Sequence, residues 1–154
     1  MSAPRLRLNP ADPRFADAVL ADIHRIRKSP AGQALFRRLL DVGTSVTIDK
    51  PQPPTNPPNA WTRLADPDRQ GGDAPDRQQG DAVIAYDPAD WPEPAALGVL
   101  PSDAVLFGCL LDALALATGA ADISRSSGAG VPAEMEAYLR QRTARTSSSA
   151  RPRP

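Results

Sequence analysis

The sequence predicts a small α+β domain with a buried central helix, a short β-hairpin or sheet and a long Pro-rich loop. Three observations carry this expectation. Apolar side chains recur at helical spacing in two N-terminal segments, and residues 104–117 are apolar nearly all round. Ser45–Asp49 and residues 82–87 alternate with the period of a strand. Between those two segments, residues 51–80 hold seven prolines and the pair Gly71-Gly72, which excludes a regular element there. A length of 154 residues suits one domain. We assign residues 1–146 to that domain, 51–80 to its Pro-rich loop and 147–154 to a disordered tail.

The first helix is expected to open with Asp12 as N-cap and Pro13 in the first turn, where a missing N–H costs nothing. Phe15, Val19, Ile23 and Ile26 form its apolar stripe, and Arg25, Arg27 and Lys28 suit the negative end of the helix dipole. Ser29-Pro30 stops this helix and starts the next, which carries Leu35, Phe36, Leu39 and Leu40 and ends at Gly43. The first strand places Val46 and Ile48 on one face and Thr47 on the other. The second alternates Ile84 and Tyr86 with Val83 and Ala85, and the two strands are expected to pair as a hairpin across the Pro-rich excursion, itself pinned by Trp61. Trp91-Pro92 and Pro94 mark a further irregular stretch. Ser102 is the expected cap of a third helix over residues 103–118, with Asp103 favourably placed at its positive end and Gly119 as its stop. A last helix, from Pro132 to about Arg145, turns Met135, Tyr138 and Leu139 inward; the Ser-, Arg- and Pro-rich tail after it has nothing to bury.

Composition excludes several classes of function. The formal net charge is zero, so nothing global favours nucleic acid or an anionic membrane. The basic residues Arg140, Arg142, Arg145, Arg151 and Arg153 lack aromatic partners, and we expect no nucleic-acid partner. The longest apolar run is interrupted by Asp112 and is too short to span a bilayer, so no membrane partner is expected either. No basic-then-apolar leader opens the chain, so the expected location is the cytoplasm, or secretion without a cleaved signal peptide. The lone Cys109 rules out an intramolecular disulfide. As a nucleophile Cys109 needs a base, and the only histidine, His24, lies on a different helix and reads as a surface residue. The acidic stretch 66–81 lacks the spacing of a calcium loop.

The informative segment is Leu106-Phe107-Gly108-Cys109-Leu110-Leu111-Asp112-Ala113. A carboxylate in an apolar helix is costly unless it is paired or reaches solvent. A mid-helix glycine costs about 1 kcal/mol relative to alanine. These two disfavoured choices, Gly108 and Asp112, fall four residues apart and therefore on one helical face.

Taken in order, several pieces make the chain resemble the NleD-like effector zinc metallopeptidases, which are HExxH zincins of bacterial origin that include type III effectors. The pieces are Ile23-His24-Arg25-Ile26 with Ser29-Pro30-Ala31-Gly32, the strand around Val46–Asp49, and Pro57-Pro58-Asn59-Ala60-Trp61-Thr62-Arg63. Tyr86-Asp87-Pro88-Ala89-Asp90-Trp91-Pro92 follows, then Leu106-Phe107, then Val131-Pro132-Ala133-Glu134; together they span about residues 15–145. The resemblance implies a zincin-like fold whose central helix carries HExxH: two histidines one turn apart hold zinc, and the glutamate beside the first activates the bound water. Here the motif falls on Gly108-Cys109-Leu110-Leu111-Asp112. Gly108 offers no ligand at the first histidine position. Cys109 cannot replace a carboxylate as general base. Asp112, at the second histidine position, is the one residue of the three able to ligate a metal there. The downstream acidic ligand implied by the family corresponds to Glu134, with Glu136 next.

No catalytic residue of such a site is intact, and no zinc or other cofactor is expected; Asp112, Glu134 and Glu136 are only weak candidates for metal binding. Cys109 projects about 100 degrees away from Gly108, so its thiol does not stand in for the missing imidazole. The expected function is that of an inactive metallopeptidase homologue that retains binding of a protein or peptide partner, with the old substrate cleft open to strand addition or with the chain paired to an active relative. Two other readings stand beside it: an active metallopeptidase with unconventional ligands drawn from Cys109, Asp112 and Glu134, and a purely structural remnant.

Overall fold

The computed structural model describes residues 5–8, 12–51, 60–64, 81–91, 101–118 and 133–149. In chain order the elements are β1 (Arg5–Leu8), α1 (Pro13–Arg27), α2 (Pro30–Val42), β2 (Ser45–Asp49), β3 (Trp61–Leu64) and β4 (Ala82–Ala85). A 3-10 turn (Pro88–Asp90) follows, then α3 (Ser102–Thr118) and α4 (Ala133–Ser149). The architecture is α+β, with the helices against a four-stranded mixed sheet of order β1-β2-β4-β3.

The two N-terminal helices form as their sequences dictate. Asp12 is extended and its carboxylate accepts from the Arg14 amide, while Pro13 occupies the first turn of α1. Phe15, Val19, Ile23 and Ile26 are all buried. Ser29 performs two tasks at the corner between α1 and α2. Its hydroxyl accepts from the Gly32 amide at 2.9 Å and donates to the Ile26 carbonyl at 2.8 Å. Gly43 ends α2 in the left-handed conformation, φ 76°, with its amide on the Leu39 and Leu40 carbonyls.

The sheet departs from expectation in three ways. β2 and β4 pair in parallel, Val46 opposite Ala82 and Ile48 opposite Ile84, and do not form a hairpin. A parallel pair needs a long crossover, which a connection of more than thirty residues supplies (from Asp49 to Ala82). That connection is not wholly irregular, because Trp61–Leu64 forms β3, antiparallel to β4. The run from Asn59 to Asp66 contains no proline, so the ladder is possible there despite its surroundings. Trp61 pins nothing inward; its side chain is exposed. Finally, β1 adds to the other edge, parallel to β2, with Leu6 and Leu8 packed against the core. A four-residue strand with one alternation carries too little pattern to be read from sequence.

Val46, Ile48, Ala82, Ile84 and Tyr86 turn toward the helices and join their core. α3 fills the centre: Leu106, Phe107 and Leu110 have no exposed surface, and it packs on α1, α2, α4, β3 and β4. A helix apolar nearly all round finds partners on most sides, with Asp112 on the side left exposed. Ser102 is not its cap; the Pro101 carbonyl accepts from the Ala104 and Val105 amides instead. α4 turns Met135 and Tyr138 into the core, and the Tyr138 ring stacks on Phe107 with centroids 4.4 Å apart. This last helix extends to Ser149, so residues 147–149 are helical and not tail. The remaining tail, 150–154, lies outside the described residues, as do most of the Pro-rich loop, the acidic stretch 66–80, Pro92, Pro94 and Gly119.

The corner between α1 and α2 tests this account. A β-carbon on Gly32 would lie 1.8 Å from the Ile26 carbonyl oxygen, a backbone atom, whereas one on Gly108 would meet only the flexible end of Met135 at 2.9 Å. Gly32→Ala is expected to lower stability by about 3 kcal/mol or more, at the severe end of overpacking. Gly108→Ala should fall within about 1 kcal/mol of wild type, because the gain in helix propensity offsets the small displacement. Urea denaturation of both variants checks the contrast.

Candidate functional site

The residues singled out on α3 do not converge. Gly108 sits under α4, its β-position facing the Met135 methyl. Cys109 is on the inward side, 6 % exposed, and burial pushes its thiol up to about 12, offset in part by a hydrogen bond with Thr62 and reinforced by the Asp112 charge. Asp112 lies at the exposed surface. Glu134 and Glu136 are exposed in the first turn of α4, and Glu134 pairs with Arg38 of α2 at 3.7 Å. Among the described residues, no group of three or more His, Cys, Asp or Glu side chains is arranged to hold a metal ion. His24 is exposed on α1.

What the structure does bring together is a buried polar cluster that the sequence reading passed over. Asp22 of α1 is 2 % exposed and Asp103 of α3 is fully buried. Asp22 accepts from the Ser102 hydroxyl at 2.9 Å and from the Tyr86 hydroxyl at 3.2 Å, and Arg25 lies 3.6 Å from it, one turn along α1. Asp103 accepts a short hydrogen bond from the Tyr138 hydroxyl and another from Arg142 Nε at 2.9 Å. Its second oxygen, Oδ1, has no partner.

Each carboxylate is thus held by groups from other elements. Asp22 ties α1 to the end of β4 and to the start of α3; Asp103 ties α3 to α4. Ser102 and Asp103, expected to serve the helix terminus, spend their side chains on this cluster instead. Burial raises the Asp22 pKa, against the lowering effect of its hydrogen bond from Ser102, and the nearby Asp103 charge raises it further. The Tyr86 and Tyr138 phenols are pushed well up by burial and by the carboxylates beside them. Burial also lowers Arg142, with the Arg25 charge adding to the effect. The two phenols therefore hold their protons, and the cluster binds the elements together.

The sequence carried one usable signal for this cluster. Asp22 follows Val19 by three and precedes Ile26 by four, so it falls within the apolar stripe of α1, where an acidic residue requires buried partners. Which partners could not be read, since Tyr86, Ser102 and Tyr138 come from distant segments.

No family model matches the chain, no curated protein matches it, and no solved structure matches it. No helix among the described residues is long and apolar enough to cross a membrane.

Asp22 gives stability a calculable pH dependence. With its folded pKa above the ordinary 3.8, the folded chain keeps this proton where the unfolded chain has released it. The resulting stabilisation is complete below that ordinary value and is lost as pH rises through the raised one. Asp22→Asn cannot titrate. Its stability relative to wild type is therefore expected to improve between about pH 4 and pH 7. Urea unfolding at both pH values measures this, and a difference that stays constant would refute the assignment.

Proposed function

We propose that this domain is a non-catalytic relative of the effector zinc metallopeptidases its sequence resembles, and that it binds an extended peptide or protein segment along β3 instead of cleaving it. The observation that carries the non-catalytic half is the contact above Gly108. Where the family would project its first zinc-binding histidine, this chain has no side chain, and the Met135 methyl of α4 occupies the adjoining space. The other two motif positions agree. Cys109 is turned into the core as a protonated thiol, which is neither a general base nor a ready metal ligand. Asp112 is exposed, and the acidic residue expected to join it, Glu134, is engaged with Arg38.

The binding half rests on the sheet edge. Among the described residues β3 pairs with β4 alone and forms one edge of the sheet, the kind of position to which a further strand can add. Thr62 anchors β3 to α3 by donating to the Cys109 carbonyl at 3.1 Å, while its neighbours Trp61 and Arg63 are exposed on the opposite face. An incoming extended segment would gain main-chain hydrogen bonds from the edge, and contacts to Trp61 and Arg63 would select among sequences.

Two measurements test the two halves separately. Protein purified from zinc-supplemented culture is expected to carry far less than one zinc per chain; stoichiometric zinc that Asp112→Ala removes would overturn the non-catalytic reading. In a screen of short peptides, binders are expected to perturb the backbone amide resonances of residues 61–64, and Trp61→Ala should weaken them about tenfold, or ~1.4 kcal/mol. Binders that leave β3 undisturbed, or a screen without saturable binding, would overturn the second half.

A further inference from the structure

β3 forms one edge of the sheet, and its neighbour leaves the chemistry of its outer face incomplete. Thr62 points to α3, where its hydroxyl donates to the Cys109 carbonyl at 3.1 Å. Strand alternation therefore puts Trp61 and Arg63 together on the opposite face, and both are exposed. On the β4 side Trp61 stands beside Ala85 and Arg63 beside Val83. Neither neighbour offers a counter-charge to the guanidinium or a cation to the indole. The side of β3 away from β4 is where complementary groups can be supplied.

The strand carries its own complement. Two copies that pair antiparallel are related by a two-fold axis perpendicular to the sheet, which keeps their faces aligned, so the pairing is centred on a residue. Centred on Thr62, it sets Trp61 of each copy opposite the partner's Arg63, twice over. A guanidinium over an indole face is a favourable contact. Directly opposed side chains are also the pairs that stabilise an antiparallel ladder. Centring on Arg63 would instead oppose two like charges, which is unfavourable. Charge complementarity along Trp61-Thr62-Arg63 thus favours the Thr62-centred register over its Arg63-centred neighbour.

We propose that β3 is a self-association edge whose occupant is a second copy of this chain, Trp61 of each protomer resting on the partner's Arg63. This rests on the reading of β3 as an edge to which an extended segment adds, and it names that segment. Each protomer supplies the groups that complete the other's edge. A four-residue strand on each side makes a small interface, so the association is weak and reversible. The dimer caps an edge otherwise open to unselective pairing. A peptide bound at β3 and a second copy exclude one another.

Sedimentation of the full chain from micromolar to millimolar concentration reads the association directly. The average mass is expected to rise from one chain towards two and no further. Arg63→Glu, a change at an exposed position, should weaken the dimer at least about tenfold. Cysteine pairing reads the register. In a mixture of Trp61→Cys and Arg63→Cys chains the new thiols stand opposite one another, while the second Trp–Arg pair stays intact. Mild oxidation is expected to link the mixture into covalent dimers and to leave each variant alone largely unlinked, since the native Cys109 is buried. The proposal is overturned by a single-chain mass at every concentration, by growth beyond two chains, or by an Arg63→Glu dimer as tight as wild type. Self-linking of either variant to the extent of the mixture overturns it too. A monomer whose residues 61–64 still respond to peptides overturns self-association alone; a monomer that binds no peptide overturns the reading of β3 with it.

Discussion

Two carboxylates in the core, Asp22 and Asp103, restrict how the helices of this domain can be arranged. A buried carboxylate left unpaired costs several kcal/mol, so the fold is compelled to bring hydroxyls and cations to each one. Asp22 recruits Tyr86 from the strand end and Ser102 from the first turn of α3. Asp103, next in sequence to Ser102, recruits Tyr138 and Arg142 from α4. Because Ser102 and Asp103 are adjacent, satisfying one carboxylate positions the other. The N-terminus of the central helix is thereby registered against α1 on one side and α4 on the other. Apolar burial alone would tolerate some sliding of α3, whose surface is apolar nearly all round. The polar contacts allow far less.

The same arrangement explains why part of the fold was legible in the sequence and part was not. Local chemistry sets the N-terminal helices: Asp12 and Ser29 as caps, prolines in the first turns, and the left-handed stop at Gly43 all act within a few residues of where they stand. Those elements could be read directly. Strand partners are a non-local matter. The alternation in Ser45–Asp49 and in β4 identifies strands without saying whether they run parallel, and the choice was made by the length of chain between them. β3 was hidden because the proline content of its surroundings outweighed a proline-free run too short to show periodicity. The buried acid cluster was hidden for a related reason, its directly bonded partners lying up to 80 residues apart in sequence.

On α3 the sequence reading and the geometry bear on one another more closely. Gly108 and Asp112 share a face in sequence, and both were conspicuous as poor choices for an apolar helix. The structure separates them by environment: Gly108 lies beneath Met135, and Asp112 is at the exposed surface. With no β-carbon at Gly108, the Met135 side chain of α4 fills the space above it, and that packing offsets part of the glycine's cost in helix propensity. An imidazole at Gly108 would have to displace the flexible end of the Met135 side chain. Met135 shares α4 with Tyr138, whose hydroxyl Asp103 holds, so an apolar and a polar contact together seat this helix on α3.

That coupling has a consequence for where new function can reside. The inner face of α3 is committed to the core, and its first turn is committed to the buried acids. Surfaces free to acquire or keep a partner must therefore lie at the periphery, where a change does not propagate into the cluster. β3 meets this condition, since its contact with α3 is through a side chain bonded to a backbone carbonyl, and Trp61 and Arg63 face away from that contact. Asp22 and Ser102 do not meet it: they line a cavity beside α1, but they are bonded to one another, so a change there reaches the cluster directly.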